Sequence, residues 1–553
     1  MDTSGAGETT VPRPRTLRVG LLLILAGSYL FFLPVVVWPF AEPKLLALTV
    51  GATLVWLSGL PLTRRPGFAA GVLAGVLVLA ALAGVAPLDS LLGVRFASTG
   101  LVLLLPCLFL VAALPSLPED TLQRLPAWLA ALGLTMSAVM LTVFLLPRVL
   151  LAWTDLHATL TGVGFASTAG HPLYAVVLLA VAMAAALARL RRGLASRLIA
   201  LGGVAVGLAL PHETSSYLLG AIVIACWLLK ARPPKAIAIQ GLGVVALAFA
   251  LSFALRALPV SAAPVAPADQ TDAAGLATRA PTTIPTQPLS AAERRFTAWR
   301  VGFRAAAQRP FLGWGTDMGL SGFMANVTPQ EAASLAPERS WWDVHNIFIQ
   351  FLLTTGIVGL LALLFLATET VPRALTAPPE LSWASVGVVT LGCFFLYEPI
   401  SVAVLPVLAV LLGAVSRPRG TPKVAPKPRT FVGVVLVICT ALATLALAQS
   451  ATLLWSSEHQ SRSALGASAA MVPWRVEPRW WIARISDPAT ASQIMARLVR
   501  DHRWDTEVRL YAAWVAELTG RSSLAHYYLT EQLKLFPGDE LWVEAVSKGD
   551  WPP

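Results

Sequence analysis

The sequence predicts an all-α polytopic membrane protein of about 13 transmembrane helices, carrying a large extracytoplasmic loop and a C-terminal extracytoplasmic domain of helical hairpins. Three observations predict it. Over 553 residues, 56% are hydrophobic and only 13% are charged, well away from the balance of a soluble domain. Apolar runs of about 18 or more residues recur, the length that crosses a bilayer core of roughly 30 Å. Lysine and arginine gather between those runs. The net charge of +11 therefore marks topology. No basic cluster accompanies a soluble RNA- or DNA-binding pattern, which argues against nucleic acid as a partner.

Taken in order, residues 1–16 are polar, with Arg13, Arg15 and Arg18 at the membrane edge, and predict a short disordered cytoplasmic tail. Spans follow at roughly 17–38, 44–62, 67–86, 98–114, 126–147, 171–188, 196–211, 215–230 and 236–256, so that helices 1–9 occupy 17–256. The first run is too long for a signal-peptide core and lacks a small-residue cleavage site, which predicts an uncleaved anchor. A large loop covers 257–343, and its opening, 257–290, is rich in Ala, Pro and Thr. Such a composition cannot bury a core and predicts a flexible linker. Helices 10–13 are expected at roughly 345–368, 381–397, 399–416 and 431–455, within 344–455.

Alternating these spans puts nineteen lysines and arginines in the N-terminal tail and the short loops of one side. The short loops of the other side hold three, Lys44, Arg95 and Arg148. The bias orients the N-terminus to the cytoplasm and the loop and C-terminus to the outside of a bacterial inner membrane. Residues 456–553 are charged and Trp-rich, and Pro488–His502, Asp505–Thr519 and Ser522–Phe536 read as consecutive short helices. With Ala512-Ala513-Trp514, Ala525–Tyr528 and Phe536-Pro537-Gly538, they resemble tetratricopeptide (TPR-like) hairpins, which bind protein partners or cap the membrane part. Cys107, Cys226, Cys393 and Cys439 lie in apolar runs without CxxC or Cys/His spacing, and predict small buried side chains.

The chemistry concentrates between Arg294 and Gly359. Residues 294–309 predict a basic interfacial helix in which Phe296, Trp299 and Phe303 share one stripe and Arg300 and Arg304 a neighbouring one. Arg295 lies a turn before Trp299. The helix is expected along the membrane surface, aromatics against lipid and guanidiniums free. Guanidiniums grip phosphate oxygens bidentately, and an imidazole such as that of His345 takes a proton near neutral pH. His171 stands at the mouth of another span, Trp341 and Trp342 suit the aromatic belt, and His212-Glu213 suits a turn.

The pattern Arg295-x-x-x-Trp299, Arg309-Pro310-Phe311-Leu312-Gly313-Trp314-Gly315, His345-Asn346 and Gly356-Ile357-Val358-Gly359 resembles the O-antigen ligase/polymerase superfamily. Upstream, Gly170-His171-Pro172-Leu173-Tyr174-Ala175 and Thr214-Ser215 resemble weaker elements of it. Ser216 stands where the family has arginine, and Thr161–Ala169 lacks the arginine usual there, for which Arg148 or Arg95 are the spatial substitutes considered. The resemblance implies an inverting transfer of a glycan from undecaprenyl diphosphate to an acceptor hydroxyl. The acceptor is a glycan in an O-antigen or exopolysaccharide polymerase, lipid A-core in a ligase, or protein in an O-oligosaccharyltransferase. Arg295 is then the diphosphate ligand and His345 the general base, and local geometry adds Arg300, Arg304 and His171 toward the diphosphate. No Asp-x-Asp occurs in the chain, so arginines replace metal and no cofactor is expected. The alternatives are a lipid-linked saccharide transporter, which would show repeats and ionisable midplane residues, and a scaffold acting through its tail.

Overall fold

A computed structural model describes residues 13–33, 35–36, 39–93, 99–149, 171–189, 195–211, 214–257, 290–335, 344–398, 400–418 and 429–547. Among the described residues, eleven α-helices precede the loop: α1 (Pro14–Leu30), α2 (Glu42–Leu57), α3 (Arg64–Ala83), α4 (Asp89–Leu92), α5 (Leu101–Ala113), α6 (Glu119–Leu122), α7 (Leu125–Val149), α8 (Pro172–Arg189), α9 (Ala195–Ala209), α10 (Thr214–Ala231) and α11 (Lys235–Ala257). The loop holds α12 (Ala291–Gln308), α13 (Gly319–Met324) and α14 (Pro329–Leu335). The bundle resumes with α15 (Ile347–Leu375), α16 (Ser382–Phe395), α17 (Leu405–Val415) and α18 (Arg429–Glu458). Six short helices follow: α19 (Arg462–Met471), α20 (Glu477–Arg484), α21 (Pro488–Asp501), α22 (Val508–Leu518), α23 (Ser522–Leu535) and α24 (Glu540–Ser547).

Each expected span contains a helix, and six stretches are long and apolar enough to cross a membrane: α3, Glu119–Thr142, α8, Lys235–Leu255, α15 and Thr430–Ser457. Others are shorter. The 13 residues of α5 and 11 of α17 rise only about 20 and 17 Å, and the two helices pack on each other. The span expected at 399–416 begins instead with a buried turn, Ser401–Val404, tolerable at depth because protein surrounds it. The bundle centres on α8, buried from Ala175 to Leu187 against α7, α9, α10 and α16. Its alanines let neighbouring backbones approach closely.

The two ends of the bundle differ. At one, Arg18 pairs with Asp120 and Arg417 with Glu119, tying the starts of α1 and α6 to the end of α17. At the other stand the loop and the C-terminal domain. The 30 residues of α18 extend about 45 Å, beyond a bilayer core, and its last turns continue into that domain. There Gln449 donates to the carbonyls of Ser468 (3.0 Å) and Val472 (3.1 Å). The expected tail helices appear as α21, α22 and α23, with α19, α20 and α24 in addition. Phe536 is wholly buried among Val327, Leu335 and Met324 of the loop, so the domain is docked on it. A second tie is the ion pair of Arg475 with Glu42, at 2.8 Å and with 10% and 0% of the side chains exposed.

Replacing Arg475 with alanine leaves the Glu42 carboxylate buried without its cation, a loss of about 3–5 kcal/mol. Thermal unfolding in detergent, with limited proteolysis of residues 462–547, is expected to show the domain loosened first.

Candidate active site

The loop is anchored by a broken helix. At Gly356, φ is +66° and ψ is −168°, which divides α15 into a short first half and a long second half. A break of this kind leaves amides and carbonyls without helical partners. Here residues 310–315 supply them. Trp314 N donates to Leu353 O (3.0 Å) and Gly315 N to Thr354 O (2.9 Å), while Ile357 N donates to Pro310 O (2.7 Å) and Val358 N to Phe311 O (3.3 Å). Two glycines make the approach possible. A Cβ on Gly356 would stand 2.2 Å from the Phe311 carbonyl oxygen, and one on Gly313, also at φ +66°, 2.4 Å from the Thr354 carbonyl carbon. The far side of the loop meets α3, through Val85 N to Trp314 O (2.9 Å) and Thr316 Oγ1 to Leu77 O (2.7 Å).

Above this junction lies α12. It starts three residues earlier than its basic pattern suggests, because Ser290 and Glu293 form a capping box. It ends at Arg309, whose conformation is restricted by Pro310. Its core face is Ala298, Val301, Gly302 and Ala305 rather than the aromatic stripe. Phe296 and Phe303 stay 62% and 53% exposed, as suits a surface helix facing lipid, and Trp299 is half-buried.

The guanidiniums are not free, contrary to expectation. Arg295 donates through Nη2 to Glu398 Oε1 (2.8 Å) and through Nε to the Tyr397 carbonyl (3.3 Å). These use two of its five N–H groups. Arg300 reaches Glu331 Oε1 (3.1 Å), and Arg304 holds Glu331 Oε2 and donates to Asn326 O (3.0 Å). Burial raises the Glu331 carboxyl, but the bonds from Arg304 and Thr328 more than offset it and hold the group below the usual carboxylate range. Arg300 and Arg304 thus clamp α14 to α12, apart from Arg295.

Arg295 and Asn346, the neighbour of His345, both bond to one turn, Leu396–Glu398, at the end of α16, and a row of rings through Tyr174 and Phe394 runs from His171 to it. Arg295 is bonded to it as described. Asn346 caps α15 by accepting from Phe348 N and Ile349 N, and its Nδ2 donates to Leu396 O (3.1 Å). His345, immediately before, is held at φ +55°, a left-handed conformation uncommon outside glycine. Val344 packs on Gly302, seven residues or about 10 Å along α12 from Arg295. His171 approaches from α8, where its Nδ1 accepts from Leu173 N (3.2 Å) and its ring lies 5.2 Å from Tyr174. Tyr174 meets Phe394 at 6.3 Å, and Phe394 meets Tyr397 at 6.0 Å.

Two residues of this turn escaped the sequence reading in any functional role. Glu398, 4% exposed, orients Arg295. The buried Tyr397 hydroxyl has no hydrogen-bond partner among the described residues, and the Arg295 guanidinium lies 6.0 Å from its ring centre. The turn itself is legible as a short connection, but its partners lie 50 to 103 residues away. Arg95, His212, Glu213, Trp341, Trp342, Asp343, residues 161–169, the linker at 258–289 and the Arg148, Thr214 and Ser215 side chains lie outside the described residues.

Residues 213–364 match the O-Antigen ligase family, bearing out the resemblance carried by the loop and α15. The matched stretch includes Arg295, Arg300, Arg304 and His345, while His171 and the Leu396–Glu398 turn lie beyond it. No curated protein and no solved structure matches the chain.

Gly356→Ala combines a left-handed alanine with a clash on the Phe311 carbonyl, and a loss above about 2 kcal/mol is expected in thermal unfolding. Because Glu331 titrates lower in the folded state, its charge contributes stability above its unfolded value of about 4.5, and that contribution is lost as pH falls through the lower folded value. The melting difference between wild type and Glu331→Gln is therefore full at neutral pH and closes in acid.

Proposed function

With the O-Antigen ligase domain at residues 213–364 as premise, we propose that the protein is a metal-independent, inverting glycosyltransferase of a bacterial inner membrane. It moves a glycan from undecaprenyl diphosphate to an acceptor hydroxyl, as an O-antigen or exopolysaccharide polymerase in the first instance and a ligase in the second. The observation that supports it is that Arg295 and Asn346, the residue next to His345, bond to the same Leu396–Glu398 turn.

In this mechanism Arg295, oriented by Glu398 and the Tyr397 carbonyl, presents its remaining N–H groups to the diphosphate oxygens. His345 accepts the proton of the acceptor hydroxyl as that oxygen attacks the anomeric carbon. The new C–O bond forms on the face opposite the breaking bond to phosphate, so the configuration inverts and undecaprenyl diphosphate departs with the bonding pair. Arg295 stabilises the charge that gathers on the leaving oxygen, where a fixed cation needs no reorganisation. The Tyr397 hydroxyl, on the turn that orients Arg295, and His171 are the further groups assigned to the diphosphate.

The topology belongs to the same proposal. All thirteen apolar helices cross or enter the bilayer, the N-terminus is cytoplasmic, and the loop and TPR-like C-terminal domain face outward. That domain then selects the acceptor or a protein partner.

Purified protein given undecaprenyl-diphosphate glycan and acceptor should release undecaprenyl diphosphate in the presence of chelator. Arg295→Ala and His345→Ala are each expected to lower release per folded molecule by about 10²–10⁴-fold, with His345→Ala melting close to wild type and Arg295→Ala melting lower because Glu398 loses its cation. Wild-type turnover in either variant removes that residue from the mechanism.

A further inference from the structure

The C-terminal domain does more than rest on the loop: a cavity of about 200 Å³ lies between them. Its walls come from three parts of the chain. Asp89 and Gly93 belong to α4 and its end, Asp317 and Ser321 to the loop, and Trp474, Arg475, Trp504 and Tyr511 to the C-terminal domain. Arg295 and His345 do not line it.

We propose that this cavity binds a saccharide ring, neutral or amino-bearing, belonging to the glycan substrate of the enzyme; the origin of the ligand rests on the glycan-transfer reading above. The volume is about that of seven waters at roughly 30 Å³ each, enough for one sugar ring and too little for a long oligosaccharide. The chemistry of the wall is mixed. Trp474, Trp504 and Tyr511 supply aromatic surface for the C–H face of a pyranose. Asp89, Asp317, Glu477, Asp505 and Glu507 supply acceptors for hydroxyl or ammonium groups. Five carboxylates against one guanidinium, itself paired with Glu42, oppose a uronic acid or a phosphate. They oppose a lipid tail as well, since an acyl chain offers them nothing to bond. Among the described residues no three His, Cys, Asp or Glu side chains gather as a metal would require, so these acids are spread as separate acceptors.

The groups are held before any ligand arrives. Asp505 Oδ1 accepts from the amides of Glu507 (2.9 Å) and Val508 (3.1 Å), and the Tyr511 hydroxyl donates to Glu507 Oε2 (3.0 Å). Thr99 donates to Asp317 Oδ1 at 2.5 Å, and the ring of Trp504 stands edge-on to Trp314 at 5.4 Å. Position supports the assignment too. Asp317 also lines a second, smaller cavity with Thr316, Gln350 and Thr354, which lies against the first half of α15 just before its break. A ring bound under the C-terminal domain therefore sits next to the junction that positions the loop. Interfaces between domains are where such sites are commonly built.

The test uses full-length protein in nanodiscs and saturation-transfer NMR with three probes: methyl glucoside, methyl glucosaminide and methyl glucuronide. The first two are expected to bind at least about tenfold more tightly than the glucuronide. Asp89→Asn with Glu507→Gln should reduce that preference to about twofold, and Tyr511→Ala should weaken every probe about tenfold, with Tyr511→Phe restoring part of it. Equal binding of the glucuronide to wild type, or unchanged binding in the variants, overturns the proposal. Displacement of the probe by undecaprenyl-diphosphate glycan assigns the site to the donor, and its retention assigns the site to the acceptor. Release of undecaprenyl diphosphate without any probe binding overturns this inference alone. Probe binding in a protein that releases none overturns the proposed activity alone.

Discussion

Four backbone hydrogen bonds between a loop and a broken helix determine where everything else at the loop end of this bundle stands. When α15 breaks at Gly356, two carbonyls before the break and two amides after it lose their helical partners, and residues 310–315 replace all four. Unpaired, each would carry a penalty of about 1–3 kcal/mol in a buried setting. The loop is fixed to that place because it completes the hydrogen bonding that the broken helix gives up. From the junction, the chain direction of α12 follows, and with it the position of Arg295. The first half of α15 leads back to Asn346 and His345.

A second constraint is electrostatic. Basic residues on an outer helix beside a lipid surface would ordinarily wander among headgroups. In this protein carboxylates fix three of them. Glu331 gathers Arg300 and Arg304 and thereby locks α14 against α12, whereas Glu398 takes Arg295 alone, on a different element. One basic helix is therefore tied to two different elements along its length, to α14 toward its C-terminus and to the Leu396–Glu398 turn toward its start. The spacing of arginines on a helix does not reveal this division, because the partners that decide it lie 27 to 103 residues away.

How much was legible follows the same logic. The apolar runs gave the bundle because burial and bilayer thickness act over local windows, and a helix appears in each of the thirteen expected places. The short lengths of α5 and α17 were hidden, since apolar residues continue into the turns beside them. The capping box at Ser290 and Glu293 was written in the sequence, yet it sat at the edge of an Ala/Pro/Thr-rich linker that drew attention away from it. Gly313 and Gly356 suit turns and close helix packing as sequence alone reads them, without naming what they approach. Their positive φ angles belong to a junction that exists only when two distant segments meet. The resemblance carries His345 and Arg295, whereas the turn that Arg295 and Asn346 share, and Tyr397 on it, is visible only in the fold.

The docking of the C-terminal domain bears on the order of biosynthesis. Trp504 and Phe536, which complete the packing of the loop, are translated some two hundred residues after α12 has left the ribosome. Until they arrive, Trp314, Val327 and Leu335 lack part of their cover, and Glu42 waits for Arg475 across more than four hundred residues. A nascent chain that has already inserted its helices therefore still lacks this cover, and the loop reaches its final packing only when residues 462–547 have docked on it.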